Sequence, residues 1–120
     1  MNDKFTIKDT KLKGVKVLTP QRFKDNRGHL TVLYNKKVLH DALGVNFVQD
    51  KCTTSHKGVL RGIHFQEKFP QGKLVSVISG KILDVIVDLR KLSPSFGQNF
   101  SIILDDKKAK SVYIPAGFGH

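Results

Sequence analysis

Apolar and polar positions alternate with period two along most of the chain, the pattern of strands that bury one face. "GVKVLTP" (14–20) is a short β-rich run stopped by Pro20, and "LTVLY" (30–34) and "VNFVQ" (45–49) are two more. "KLVSVIS" (73–79) and "KILDVIVDL" (81–89) flank a lone Gly80, which reads as a β-hairpin with a tight Ser-Gly turn. "FSIIL" (100–104) and "SVYI" (111–114) are further strands, with the charged turn "DDKKAK" between them. Helical spacing occurs once, in "NKKVLHDALG" (35–44). There Val38 with Ala42 and Leu39 with Leu43 lie four apart, and Gly44 suits the stop. Some seven short strands with close turn signals predict an all-β sandwich or barrel-like roll with one short helix near residues 35–43.

One strand breaks the apolar rule. In "KILDVIVDL", Asp84, Ile86 and Asp88 share a face, so that face is not a wholly apolar core. The pattern favours a solvated sheet face. The alternative is a polar lining inside a roll, where such a sheet holds a ligand.

Composition narrows the class. With 120 residues, 39% apolar and 26% charged, the chain reads as one globular domain, residues 1–120. No apolar run reaches the roughly 20 residues that span a bilayer, so no membrane partner is expected. The opening "MNDKFTIKDTK" lacks the apolar centre of a secretory signal. The single cysteine, Cys52, excludes an internal disulfide and fits a reducing cytoplasm, with a small buried residue the favoured reading over a reactive thiol.

Charge is the unusual number. Twenty-one Lys and Arg against ten acids leave a net +11, which attracts polyanions. The basic residues are nevertheless spread from Lys4 to Lys110 in runs of at most two, and only four are arginines. No helix-turn-helix, zinc-finger or RNA-binding signature accompanies them, so a nucleic-acid partner is not expected. A small phosphorylated substrate would use the same field with far less surface.

Three places carry candidate chemistry. "VLRGIHFQ" (59–66) holds His64 near Arg61, Gln66 and Lys73. The terminal "IPAGFGH" delivers His120 on a loop shaped by a proline and two glycines, and "KDNRGHLTV" places Arg27 beside Gly28 and His29. Histidine titrates near neutrality and serves as a general base, while lysine and arginine hold phosphate or an oxyanion. A cupin metal site uses a His-x-His pair followed by a glutamate. Here Phe65 and Gln66 follow His64, and Glu67, the chain's one glutamate, comes too early. No metal is expected.

The order "VLRGIHFQ", then "PQGKLVSVISGKILDVIVDLRKLSPSFGQ", then "IPAGFGH", with "DNRG" and "FVQD" upstream, resembles the dTDP-4-dehydrorhamnose 3,5-epimerase family of cupins along nearly the whole chain. The resemblance implies a cupin-type double-stranded β-helix, or jelly roll, acting as a homodimer in the cytoplasm without metal or organic cofactor. The implied reaction is 3,5-epimerisation of dTDP-4-keto-6-deoxy-D-glucose to dTDP-4-keto-L-rhamnose in deoxysugar and polysaccharide biosynthesis. By likeness His64 removes the protons beside the ketone and Lys73 steadies the enolate oxygen. Arg61, Gln66 and His120 surround the sugar, and Arg27 and Gln49 match positions lining the nucleotide-sugar site. A single-centre epimerase on another nucleotide sugar and a sugar-nucleotide-binding module without turnover are the alternatives.

Two departures stand out. Val32 occupies a position where the family usually has a glutamate that contacts the ligand. Family members also continue beyond the "GF-x-H" motif with a strand-rich segment. It bears a proton-donating tyrosine and an aspartate that orients the histidine, and neither Tyr34 nor Tyr113 matches that tyrosine. The expectation is a fragment of a longer epimerase that lacks the C-terminal segment.

Overall fold

The computed structural model describes residues 4–120. The elements run β1 (Phe5–Asp9), β2 (Lys16–Pro20), β3 (Arg22–Asp25), β4 (Gly28–Thr31), α1 (Lys36–Leu43), β5 (Lys73–Ser76), β6 (Lys81–Asp88), β7 (Asn99–Asp105), β8 (Ser111–Ile114) and β9 (Phe118–Gly119). Two antiparallel sheets hold the core, one ordered β1-β2-β8-β5 and the other β7-β6-β9; β3 and β4 form a separate hairpin. The predicted all-β architecture with one short helix is therefore what folds.

The helix lies where its spacing predicted. Asn35 caps it, its side chain accepting from the Val38 amide at 3.1 Å. Gly44 ends it in the left-handed region at φ 70° and donates its amide to the His40 carbonyl. Leu39 is the side chain that α1 buries most completely. It packs with Leu18 and Tyr113, and Phe5, Ile7 and Phe47 close around them. Burial of such a leucine contributes about 2 kcal/mol.

Period-two alternation then sorts the strands into faces. On β8, Tyr113 turns toward the helix side, while Val112 and Ile114 turn inward to meet Ile86, Leu104 and Phe118 from the other sheet. Leu12 and Val15 complete that inner core. Lys73 stands opposite Ile114 and so begins β5 on the inner face.

Three sequence expectations are corrected. The 73–79 and 81–89 runs do not form a hairpin: β5 pairs with β8, and β6 pairs with β7 over seven positions from Lys81↔Asp105 to Val87↔Asn99. The chain around Gly80 instead steps between sheets, held by its amide on the Asp106 carboxylate at 2.9 Å and the Asp106 amide on its carbonyl at 3.1 Å. Residues 45–49 form no strand. Val45 and Phe47 pack beneath α1, but no neighbouring strand takes up the backbone and Val48 is 96% exposed. Cys52 is exposed rather than buried, within an irregular stretch. Phe5–Asp9, Arg22–Asp25 and Phe118–Gly119, too short or too charged to stand out in the pattern, are strands.

The β6 face that favoured a solvated reading is interior. Asp84 is 7% exposed, and Ile86 and Asp88 are fully buried. Asp88 receives five hydrogen bonds, from the Arg90 amide and guanidinium, Ser93 and Ser95. Burial pushes its carboxyl up, but these donors outweigh burial and hold it well below the usual carboxylate range. Arg90 also lies 4.4 Å from the centre of the Phe118 ring, so the cluster braces β9. Because the depressed carboxyl stabilises the fold above its unfolded value of 3.8, that contribution is lost as pH falls below it. Asp88→Asn is expected to cost about 2–3 kcal/mol at pH 7 and to flatten the acid limb of stability, read by denaturant unfolding from pH 7 to 2.

Candidate functional site

The site begins with a backbone pairing. His64 donates its amide to the His120 carbonyl at 2.8 Å, and His120 returns the bond at 3.2 Å. Reciprocal bonding of this kind defines directly opposed residues, whose side chains leave the same face. His120 is two positions from Phe118, which is in the inner core, so both imidazoles belong to the inner side of the roll.

Two glycines permit the approach. A Cβ on Gly62 would sit 2.8 Å from the His120 carbonyl oxygen, and Gly62 has φ +96°. A Cβ on Gly119 would meet Ile63 at 2.8 Å and Leu89 at 3.0 Å. The "RGIH" and "GFGH" glycines are thus the two sides of one close crossing.

Around this pair lies a small open cleft lined by His64, Phe65, Gln66, Pro70, Gln71, Lys73, Ile114, Gly117, Phe118 and His120. Four residues singled out in the sequence meet here: His64, Gln66, Lys73 and His120. Lys73 comes from one sheet and His120 from the end of the other, so the cleft spans the mouth of the roll. The cleft combines two imidazoles, one ammonium and one amide against the apolar walls of Ile114 and Phe118. That set can take a proton and stabilise an adjacent negative charge.

The other three lie on exposed segments outside this cleft. Arg27 sits in the β3–β4 turn, where Asp25 accepts from its amide and from its guanidinium at 2.6 Å. That interaction holds the exposed Asp25 carboxyl below its ordinary value. Gln49 is exposed in the irregular stretch after α1. Arg61 donates to Ser55 Oγ at 2.7 Å and toward the Thr54 carbonyl. Val32 follows β4 and is half-buried.

Sequence reasoning missed one residue of the site. His120 Nδ1 lies 3.1 Å from Asp84 Oδ1, an ion-pair distance when the imidazole is protonated. The signal was Asp84 itself, a carboxylate on an apolar strand face. A second cleft, on the helix side of β8, is lined by Val45, Asn46, Phe47, Gly72, Tyr113 and Ala116. There Tyr34, Phe47 and Tyr113 form an edge-to-face series at 6.3 and 6.2 Å, and burial raises the Tyr113 phenol above its ordinary value. Among the described residues, no three His, Cys, Asp or Glu side chains are grouped to hold a metal ion. No helix among them is long and apolar enough to cross a membrane.

Comparison with known proteins gives a consistent set. A family model described as dTDP-4-dehydrorhamnose 3,5-epimerase matches residues 9–120. The dTDP-4-dehydrorhamnose 3,5-epimerase of Methanothermobacter thermautotrophicus is 43% identical over 117 residues, covering 97% of this chain and 63% of the relative. The crystal structure of dTDP-6-deoxy-D-glucose-3,5-epimerase from Legionella pneumophila, in complex with dTDP-4-keto-L-rhamnose, superposes with a TM-score of 0.93 at 40% identity. It covers 98% of this chain and 63% of that one. The Bacillus anthracis dTDP-4-dehydrorhamnose 3,5-epimerase, with TDP and PPi bound, gives 0.89 at 42% identity, covering 98% and 69%. The chain thus spans just under two thirds of the length of the curated relative from Methanothermobacter.

Gly62→Ala is expected to destabilise by about 1–3 kcal/mol, since it adds both a forbidden φ and a backbone collision. A lowered thermal midpoint in calorimetry checks this; an unchanged midpoint would mean that the His64–His120 crossing tolerates a wider separation.

Proposed function

The chain belongs to the dTDP-4-dehydrorhamnose 3,5-epimerase family, with its cupin-type β-fold, and from that membership we propose that the protein epimerises a nucleotide-linked 4-keto-6-deoxy sugar. The substrate favoured is dTDP-4-keto-6-deoxy-D-glucose, converted to dTDP-4-keto-L-rhamnose. The observation that carries the reading is the meeting of His64, Lys73 and His120 in one cleft, from segments far apart in the chain.

The chemistry follows from the ketone. A carbon next to C4 bears a hydrogen acidified by the carbonyl; His64, as neutral imidazole, takes that proton, and the C–H electron pair moves into an enolate. Lys73 supplies positive charge where the oxygen becomes negative, an interaction that strengthens only as the transition state forms. Return of a proton to the opposite face inverts the centre, with no net oxidation or reduction. General-base catalysis of this kind supplies roughly 10²–10⁴-fold.

Arg27, Gln49, Arg61 and Gln66 are assigned to binding of the substrate. Arg27 and Arg61 carry the positive charge suited to its pyrophosphate. The +11 net charge draws an anionic nucleotide sugar toward the protein at low ionic strength. We place the reaction in the cytoplasm, consistent with one exposed, unpaired Cys52. The functional form is proposed to be a homodimer. Val48, Leu60 and Phe69 are 96%, 90% and 85% exposed, an apolar display that a second copy would cover. Sedimentation equilibrium is expected to give twice the chain mass; a monomer at micromolar concentration overturns the dimer.

In deuterium oxide the protein is expected to wash deuterium into C3 and C5 of the 4-keto sugar. His64→Ala should reduce this more than about 100-fold, and Lys73→Gln by about 10²-fold. Exchange in His64→Ala equal to the parent would sink the base assignment, and exchange at one carbon alone would make the protein a single-centre epimerase.

A further inference from the structure

We infer that Asp84 is a positioning residue for catalysis, acting through His120; this deepens the epimerase reading and rests on it. Asp84 occupies an inner-face position of β6 between Ile82 and Ile86, where an aliphatic side chain would pack at lower cost. Its Oδ1 is 3.1 Å from His120 Nδ1. Its Oδ2 is buried and meets no hydrogen-bond donor among the described residues. Leaving one oxygen of a buried carboxylate unsatisfied is destabilising. Four positions along the same strand face, Asp88 is instead saturated by five donors. The fold can therefore satisfy a buried aspartate on this face, and at Asp84 it does so only for the oxygen that meets His120.

That one bond fixes what His120 presents. A carboxylate accepts, so the imidazole proton resides on Nδ1 and the ring is held by its Nδ1 edge. Nε2 is then the free nitrogen of a side chain that lines the cleft beside His64 and Lys73. His64, by contrast, makes no ion pair or side-chain hydrogen bond among the described residues, only the two backbone bonds to His120. Of the two opposed imidazoles, His120 is the one that a carboxylate of β6 holds in tautomer and orientation.

The consequence is a separable effect on turnover. Asp84→Asn keeps the size of the side chain but offers the ring an amide that can donate as well as accept. The His120 tautomer is then no longer specified. kcat should fall about 10–100-fold with KM within about threefold, the scale usual for losing an orienting partner. In a His120→Ala background the same substitution should change kcat by less than about twofold, because its effect passes through the missing ring. The thermal midpoint of Asp84→Asn should equal or exceed that of the parent, whereas a purely structural aspartate would lower it and leave the activity of folded protein unchanged.

Nitrogen NMR of the histidine rings in the ¹⁵N-labelled protein supplies a readout independent of turnover. The parent should show His120 with its proton on Nδ1, and Asp84→Asn a mixture of tautomers. A parent ring protonated on Nε2 alone, additive losses in the double variant, or an unchanged kcat in Asp84→Asn each overturn the proposal. If the parent catalyses no exchange, the epimerase reading fails by itself, and the tautomer measurement still decides whether Asp84 sets the ring.

Discussion

The reciprocal backbone pairing of His64 with His120 is the constraint on which the site depends. It joins segments more than fifty residues apart and sets their side chains on a common face. The two segments approach so closely that a Cβ at Gly62 would collide with the His120 carbonyl and one at Gly119 would press on Ile63 and Leu89. The pairing is in turn held from behind. Phe118, two residues before His120, shares the inner core with Ile86 and Ile114 and carries the Arg90 guanidinium over its ring. Arg90 is itself anchored by Asp88. A chain of contacts thus runs from a fully buried carboxylate to the position of an imidazole in the cleft.

The two aspartates of β6 show how one strand serves stability and chemistry with the same residue type. Asp88 is surrounded by donors on a turn that follows immediately in sequence, so its negative charge is compensated locally. Asp84 lies mid-strand, away from that turn, and its one side-chain partner among the described residues is His120, which arrives from the end of the chain's last strand. The difference is one of topology: a carboxylate at a strand end finds loop amides, and one in the middle finds only what crosses the roll.

Much of this was legible in the sequence. Alternation located β2, β5, β6, β7 and β8, and the lone helical repeat located α1 with both of its ends, because each of these signals is local. The failures were of two kinds. Partner choice across Gly80 depends on competition between strands distant in sequence. The Ser-Gly turn signal could not report that β8 holds β5 and β7 holds β6. Faces were the other difficulty: Asp84 and Asp88 read as solvated because their donors come from the 90–95 turn and from residue 120, neither of which periodicity brings close. The cluster of His64, Gln66, Lys73 and His120 in one cleft could be anticipated only through the order of whole motifs, since spacing alone does not fold them together.

A division of labour follows from where each residue is carried. His120 and Lys73 belong to paired strands or their ends, and His64 is bonded through its backbone to His120, so the groups proposed to react are placed by hydrogen-bonded backbone. Arg27, Gln49 and Arg61, assigned to recognition, stand on exposed turns and irregular segments, with the two guanidiniums held by short local bonds to Asp25 and Ser55. Proton abstraction next to a ketone demands fixed geometry, because a base displaced by an ångström loses most of its advantage. Binding of a flexible, doubly charged pyrophosphate tolerates adjustment and draws on charge at longer range. Loops can vary without disturbing the roll, so such a scaffold can change the nucleotide or sugar it accepts while keeping its acid–base chemistry. Val32, half-buried on the stretch that leaves the β3–β4 hairpin, lies outside the cleft that His64, Lys73 and His120 line.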